Sequence, residues 1–392
     1  MKIHWLSNAP WAATGYGNQT AVFVPRIHKQ HPVSITAFYG LDGGVLNMDG
    51  VMVYPKATHP YGQDIAAANA RNNDARVIIS LMDSWVCDPR MLQSDGMLWA
   101  PWYPVDMEPL PRPIRDNISQ AFARIAMSRF GERMTNEAGL NCYYVPHGVD
   151  QRIYRPLPRA EALERLHWPN DRFTVSMVAA NQGNPSRKSF QQALEAFAML
   201  AAKHDDAHLY LHTNKSEHGE RAGVNLPEIV RHLGIEKHVS FPDQYAYAMS
   251  LYPPYYLCDV YNASDAHMLP SMGEGFGIPT LEAQACGCPV IVGDWTASSE
   301  LCFSGWKIPK SESTPFWTPL AAYQYIVHTG ALYERLEAAY QMRGNEDYRR
   351  RAVDGAKPYH ADRVLEKYWL PVLADIEANI NERLTFDQAV RA

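Results

Sequence analysis

The stretch LPSMGEGFGIPTLEAQACGCPVIV, Leu269 to Val292, decides how this chain reads. It opens in a loop crowded with Gly273, Gly275 and Gly277, with Glu274 among them. Pro279 suits the first position of a helix, where its missing N–H would be unpaired in any case. The pattern predicts a short helix over Thr280–Cys286, stopped by Gly287 in the left-handed conformation. Pro289–Val292 then reads as a short strand buried on both faces. A helix that starts just after a glycine-rich loop presents unpaired N–H groups and partial positive charge, which fits an anion such as phosphate. Glu274 and Glu282, eight positions apart, fall in that loop and in the first turn of the expected helix. This spacing suits two parts of one extended ligand better than a shared metal or a paired acid and base.

Each feature alone has an ordinary structural explanation, because glycine loops precede many helices and a first-turn Glu complements the helix dipole. The whole string is more specific. Pro270-Ser271, Glu274-Gly275-Phe276-Gly277, Glu282 and the run from Ala283 through Ile291 resemble the signature of glycosyltransferase family 4. The resemblance implies an α/β chain of the GT-B fold, two Rossmann-like domains with a cleft between them. It also implies retaining transfer of a sugar from a nucleotide sugar. On that resemblance Glu274 binds hydroxyls of the donor sugar, Glu282 binds the ribose, and Gly275, Phe276 and Gly277 line the donor.

At 392 residues the chain is long for one core, and two domains are expected. Hydrophobic content of 46% and charged content of 20% are those of a soluble globular protein. A net charge of −6 does not mark a nucleic-acid or membrane binder, although a local patch can act inside an acidic protein. No apolar run is long enough for a membrane span. The start, MKIHWLSNAP, lacks the apolar core and cleavage site of a signal peptide. A cytoplasmic location, in a bacterium or a phage-infected host cell, is therefore expected. The six cysteines show no metal spacing and read as small apolar residues in a reducing compartment.

Toward the N-terminus, Ile3–Leu6 reads as a first buried strand running into a loop that ends in Gly15, Tyr16 and Gly17. Alone, these glycines mark either close approach to a phosphate or sugar, or a flexible turn. Beside the main motif they resemble the family's first glycine-rich loop, which contacts donor phosphates or the acceptor. This loop is also similar to that of phage-encoded members, some of which glycosylate hydroxymethylated DNA bases. Further strands are expected at Val33–Phe38, Met52–Tyr54, Val77–Met82 and Leu98–Trp102, and their carboxyl ends should line a crevice. Asp106 follows the last of these. Many relatives carry a His just before this Asp, where this chain has Val105, so Asp106 either takes part of that role or caps a turn. Arg112, Arg115, Arg124, Arg129 and Arg133 then form either a solvated face or a phosphate-contacting stripe. In the second case Arg112 and Arg115, with Trp102 and Tyr103 as stacking partners for an unstacked base, would bind the acceptor.

Pro146-His147-Gly148-Val149-Asp150 and Tyr154-Arg155-Pro156 resemble the family's domain junction. The expected domains are 1–155 on the acceptor side and 156–361 on the donor side, with a helix at about 362–392 crossing back onto the first. In the second domain a strand over Thr174–Ala180 leads to a helix beginning at Phe190, with Arg187 and Lys188 in the junction. Cations at a helix start oppose its dipole, which favours a functional reason for them. Lys188 matches the family's diphosphate-gripping Lys. The family's Arg slot holds Asn181 or Gln182, and Arg187 could supply that charge. The implied activity is retaining, metal-independent hexosyl transfer from a nucleotide sugar, UDP-glucose or similar, with no cofactor. Lys188, Arg187, Glu274 and Asp106 carry it. The acceptor is the hydroxymethyl group of a modified pyrimidine in DNA or, alternatively, a glycan or lipid-linked saccharide. Readings of another class are a nucleotide-sugar 2-epimerase and a non-catalytic sugar-nucleotide-binding protein.

Overall fold

Short, uniformly apolar runs need cover on both faces, and in this chain they build two parallel sheets. The computed structural model describes residues 1–216 and 222–391. It divides into two units. One holds Met1–Val105, Pro109–Gly148 and the segment from Tyr359; the other holds Asp106–Glu108 and Val149–Pro358. Apart from the short Asp106–Glu108 segment, the chain passes from the first unit to the second between Gly148 and Val149, ahead of the prolines at 156 and 158. The C-terminal segment reaches its long helix at Leu370–Arg391, and Ala392 lies outside the described residues.

The first unit contains β1 (Ile3–Ser7), β2 (Val33–Ala37), β3 (Leu46–Met48), β4 (Val51–Pro55), β5 (Val77–Leu81), β6 (Leu98–Tyr103), β7 (Ile125–Ala126) and β8 (Tyr143–Tyr144). They form one sheet in the order β3-β4-β2-β1-β5-β6-β7-β8, parallel except for the β3–β4 pair. Aromatic rings fill its core. Trp102 lies 4.8 Å from Trp369, 5.7 Å from Phe23 and 6.0 Å from Trp5, ring centre to ring centre. Its indole N–H donates to the Val145 carbonyl at 2.7 Å, and the Tyr103 hydroxyl bonds the Thr135 hydroxyl at 2.8 Å. Both side chains are fully buried. This corrects the expectation that they support an unstacked base, because neither ring face is presented to solvent.

The second unit contains β9 (Phe173–Val178), β10 (Ala207–His212), β11 (Val239–Ser240), β12 (Ala266–Leu269), β13 (Val290–Gly293) and β14 (Gly305–Ile308), all parallel in the order β11-β10-β9-β12-β13-β14. The helix Phe190–Ala201 follows β9 as expected. It buries Leu194, Phe197 and Leu200 against Phe173 and Val175 of the sheet and Leu336 of the helix Thr329–Gln341. A separate antiparallel hairpin, β15 (Ser313–Trp317) and β16 (Tyr323–Val327), was not anticipated from sequence. Cys258, Cys286 and Cys288 pack in an apolar cluster with Val178 and Val292, and all six cysteines are free thiols. Among the described residues no helix is long and apolar enough to cross a membrane.

Removing Trp102 empties the centre of the first unit's aromatic core. Trp102→Ala should lose about 3–5 kcal/mol of stability in a urea titration. A loss below about 1 kcal/mol would mean that the ring is not a core element.

Candidate active site

Three adjacent strands of the second unit, β9, β12 and β13, end on the same edge of the sheet, the edge where open α/β sheets bind ligands. The loop after β9 carries Arg187 and Lys188, that after β12 carries Glu274, and the turn after β13 carries Thr296. Lys188 Nζ donates to Glu274 Oε1 at 2.5 Å. Arg187 Nη1 donates to the Gly273 carbonyl and lies 3.4 Å from Asp106 Oδ2 and 3.7 Å from Glu274 Oε2. Two cations and two carboxylates thus share one site. Asp106 settles into this network rather than capping a turn, and Gln324 of β16 also donates to its carboxylate at 3.3 Å.

The backbone is shaped to hold this cluster. At Gly273 any Cβ would fall 2.0 Å from the Asp106 carbonyl oxygen, so only glycine lets the two segments approach. Thr296 sits at φ +51, a costly conformation for a β-branched residue, and its hydroxyl accepts from the Glu274 N–H at 3.0 Å. Asp106–Glu108 is tied to β16 by backbone bonds between Glu108 and Tyr323, with the Glu108 carboxylate accepting from Lys310 and Tyr325. Gln324, Thr296 and Tyr325 were not singled out from sequence. Nothing in the run Tyr323-Gln324-Tyr325-Ile326-Val327 marks Gln324 as a partner of Asp106.

Burial raises the Asp106 pKa, and Arg187 opposes it. Burial would also raise Glu274, but Lys188 and Arg187 outweigh it and hold that carboxylate below its ordinary value. Lys188 is lowered by burial and by the neighbouring Arg187 charge, against the pull of Glu274. Glu282 differs. The helix runs Ile278–Ala285, with Pro279 in its second position, so Glu282 lies in the second turn rather than the first. It is buried with no cation beside it. The Tyr261 hydroxyl donates to it at 3.1 Å and the Tyr154 hydroxyl also bonds it. Burial pushes its pKa up to about 7, with both hydroxyls pulling the other way.

Gly275, Phe276 and Gly277 form the buried approach to that helix, with Gly277 at φ +97 as the residue before its first turn. In the first unit, Gly15 and Tyr16 open the helix Gly15–His28. The Gly17 N–H is taken by the Thr14 hydroxyl at 3.0 Å, which removes it from the expected ligand donors. A Cβ on Gly17 would fall 2.2 Å from the Ala12 carbonyl oxygen, so local packing requires this glycine. Arg112 and Arg115 are exposed on the helix Arg112–Ile118, Arg112 pairing with Asp116 at 3.3 Å. The rest of the stripe is locally engaged: Arg124 on the Asn141 carbonyl, Arg129 on Glu132 and the Tyr144 ring, and Arg133 near Glu137. Among the described residues no group of three or more His, Cys, Asp or Glu side chains could hold a metal ion.

Residues 173–316, which carry Lys188, Glu274 and Glu282, match the family described as Glycosyl transferases group 1. The chain is 34% identical over 151 residues to D-inositol 3-phosphate glycosyltransferase of Rhodococcus jostii. That match covers 38% of this chain and 31% of the relative, so the chain spans about a third of the curated relative's length. In fold the likeness extends over nearly the whole chain. Sucrose-phosphate synthase from Thermosynechococcus elongatus superposes with a TM-score of 0.72 at 16% identity, covering 98% of this chain and 99% of that one. Anabaena HepE, solved in complex with UDP and glucose, gives 0.69 at 15% identity, covering 96% and 100%. The α/β architecture of two Rossmann-like units is that of GT-B glycosyltransferases, as the motif at Leu269–Val292 implied.

Because its pKa in the folded chain lies near 7, Glu282 keeps a proton that the unfolded chain releases from about pH 4.5 upward. Its contribution is complete below that value and is lost as pH rises through about 7, a change on the order of 3 kcal/mol. Cys258 titrates in the same range, lowered to about 7 by its bond with Cys286, so the comparison must isolate Glu282. Between about pH 5 and pH 8 the wild type should lose more thermal stability than Glu282→Gln, which has no proton to release. Parallel curves for the two proteins would show that Glu282 does not titrate there.

Proposed function

We propose that this chain is a glycosyltransferase that moves a hexose from a nucleoside diphosphate sugar to a hydroxyl acceptor. The observation that carries the reading is the Lys188–Glu274–Arg187 cluster at the ends of β9 and β12, with Glu274 buried, inside the segment that matches group 1 glycosyltransferases. The UDP and glucose of the HepE complex, which shares this fold, support UDP-glucose or a similar hexose donor.

When the bond between the sugar C1 and the phosphate oxygen breaks, its electron pair leaves with the diphosphate, and the acceptor oxygen bonds C1. Fixed positive groups at the leaving oxygen lower the barrier. Lys188 and Arg187 supply them, so the reaction as read here needs no metal. Glu274, held ionised by those cations, accepts from the sugar hydroxyls, and Glu282 accepts from the ribose hydroxyls. The leaving phosphate takes the acceptor proton on the face it has just left, which retains the configuration at C1 and requires no side-chain nucleophile. Asp106 balances Arg187 and steadies it.

For the acceptor, the burial of Trp102 and Tyr103 removes the stacking partners that a flipped pyrimidine would have used, and a saccharide hydroxyl is the better-supported class. Incubation with UDP-glucose and panels of saccharides and of hydroxymethylpyrimidine DNA, read by mass spectrometry, should give a hexose-shifted saccharide. Epimerised donor with no transfer would favour an isomerase, and tight donor binding without turnover would favour a binding protein.

Two variants divide the donor roles. Glu282→Ala should weaken UDP binding by about 1.5–3 kcal/mol in calorimetry, while Glu274→Ala leaves UDP affinity nearly intact and impairs transfer. Unchanged UDP affinity in Glu282→Ala would remove the ribose assignment. Lys188→Ala should cost on the order of a hundredfold in turnover, and a change of only a few-fold would hand the leaving-group role to Arg187. Activity that vanishes with EDTA and returns with a divalent ion would contradict the metal-free reading.

A further inference from the structure

A cavity of about 460 Å³ opens in the second unit, away from the edge that carries Lys188 and Glu274. Its lining includes Asp265, directly before β12, and Pro289, directly before β13. These are the amino ends of strands whose carboxyl ends face the candidate active site, so the cavity lies at the opposite edge of the same sheet. Its size is that of a small-molecule site, roughly 300–1,000 Å³.

Three segments wall it. Pro156-Leu157-Pro158 leads into the helix Arg159–Leu166, and the Leu157 N–H donates to the Asn262 side chain at 2.7 Å. Cys286 and Gly287 close the helix Ile278–Ala285. The helix Glu346–Ala356 packs against that end, since a Cβ on Gly287 would lie 3.4 Å from Val353 Cγ2 and 3.7 Å from the Arg349 carbonyl oxygen. The Ser304 hydroxyl pins the same helix by donating to the Tyr348 carbonyl at 2.7 Å. The walls are set by the fold, and Leu157, Pro289 and Val353 make part of them apolar.

The lining also holds three arginines and three carboxylates. Most of these charges are answered. Asp265 accepts from Arg159 at 3.1 Å and from the Thr174 N–H at 2.8 Å. Arg350 pairs with Asp347 at 2.7 Å, and Asp354 with Lys357 at 2.6 Å. Glu346 stands in the first turn of its helix, beside the positive end of the dipole. Two guanidinium groups are left with idle donors. The half-buried Arg349 side chain has no hydrogen-bond or ion-pair partner among the described residues. Arg159 commits only Nη2, to Asp265 and to the Arg172 carbonyl at 3.3 Å, and its buried Nε has no acceptor. Buried donors are ordinarily satisfied, and a guanidinium with free donors suits a carboxylate or a phosphate.

We propose that this cavity binds a small organic anion, a phosphate or carboxylate carried on an apolar body. Arg349 and Arg159 take the anionic group, and Leu157, Pro289 and Val353 take the body. The site is separate from the donor edge. Failure of hexose transfer would leave it untouched, and its loss would leave the transfer reading untouched.

The test titrates the full chain by calorimetry with phenyl phosphate and with benzoate. Inorganic phosphate supplies the charge without the body, and benzyl alcohol the body without the charge. Wild type is compared with Arg349→Ala, which has no side-chain partner to lose and should melt as the wild type does, and with Lys188→Ala. Phenyl phosphate or benzoate should bind saturably at one site, about tenfold or more tighter than inorganic phosphate because of the apolar contact. Arg349→Ala should weaken that binding at least about tenfold, as for loss of a charged hydrogen-bond partner, while Lys188→Ala binds as the wild type does. The tighter of the two probes identifies the anionic group. No saturable binding of either probe, unchanged affinity in Arg349→Ala, or benzyl alcohol binding as tightly as the anions would overturn the proposal. So would loss of binding in Lys188→Ala alone, which would put the anion at the donor edge.

Discussion

A buried charge is tolerated only beside its opposite, and the ligand-binding edge of the second sheet is arranged around that constraint. Lys188 and Glu274 are bonded at 2.5 Å, with Arg187 and Asp106 adjoining. Removing one member of such a pair typically costs about 3–5 kcal/mol, because the other charge is left unpaired in a low-dielectric site. The local backbone follows from this. Gly273 is small enough for Asp106 to approach, Thr296 holds a strained conformation while its hydroxyl anchors the Glu274 N–H, and β16 brings Gln324 to Asp106.

The cluster is balanced, two cations against two carboxylates. Glu282 obeys another rule. With tyrosine hydroxyls and no cation around it, its charge is governed by burial. Two glutamates of one motif, eight positions apart, are thereby given different protonation behaviour by their surroundings alone.

The helix after the glycine loop, the Lys188 junction and the parallel strands were legible because each depends on local chemistry: proline at a helix start, glycine at its end, short apolar runs between polar loops. Boundaries moved by a residue or two where tertiary packing extends a turn, as at Ile278. The hairpin of β15 and β16 was missed because its stability comes from pairing between its two strands and from the bond to Glu108, neither of which leaves a periodic signature. Trp102 and Tyr103 were misread because an aromatic residue at a strand end looks the same in sequence whether it faces the core or the solvent.

By itself the sequence determined the fold class and the placing of Lys188 and Glu274 in loops at strand ends, since spacing within one motif and one strand–loop–helix junction is a local property. Only the tertiary structure decided which charges meet, which arginines are already engaged and which aromatic residues are exposed. Arg187 and Asp106 are 81 positions apart in the chain, and their separation of 3.4 Å exists because the pairing of Glu108 with Tyr323 holds the Asp106–Glu108 segment against β16 in the second unit. The exposure of Trp11, Tyr39 and Trp85, against the burial of Trp102, depends on which side of the packed layers each strand end leaves uncovered, and residue type carries no record of that.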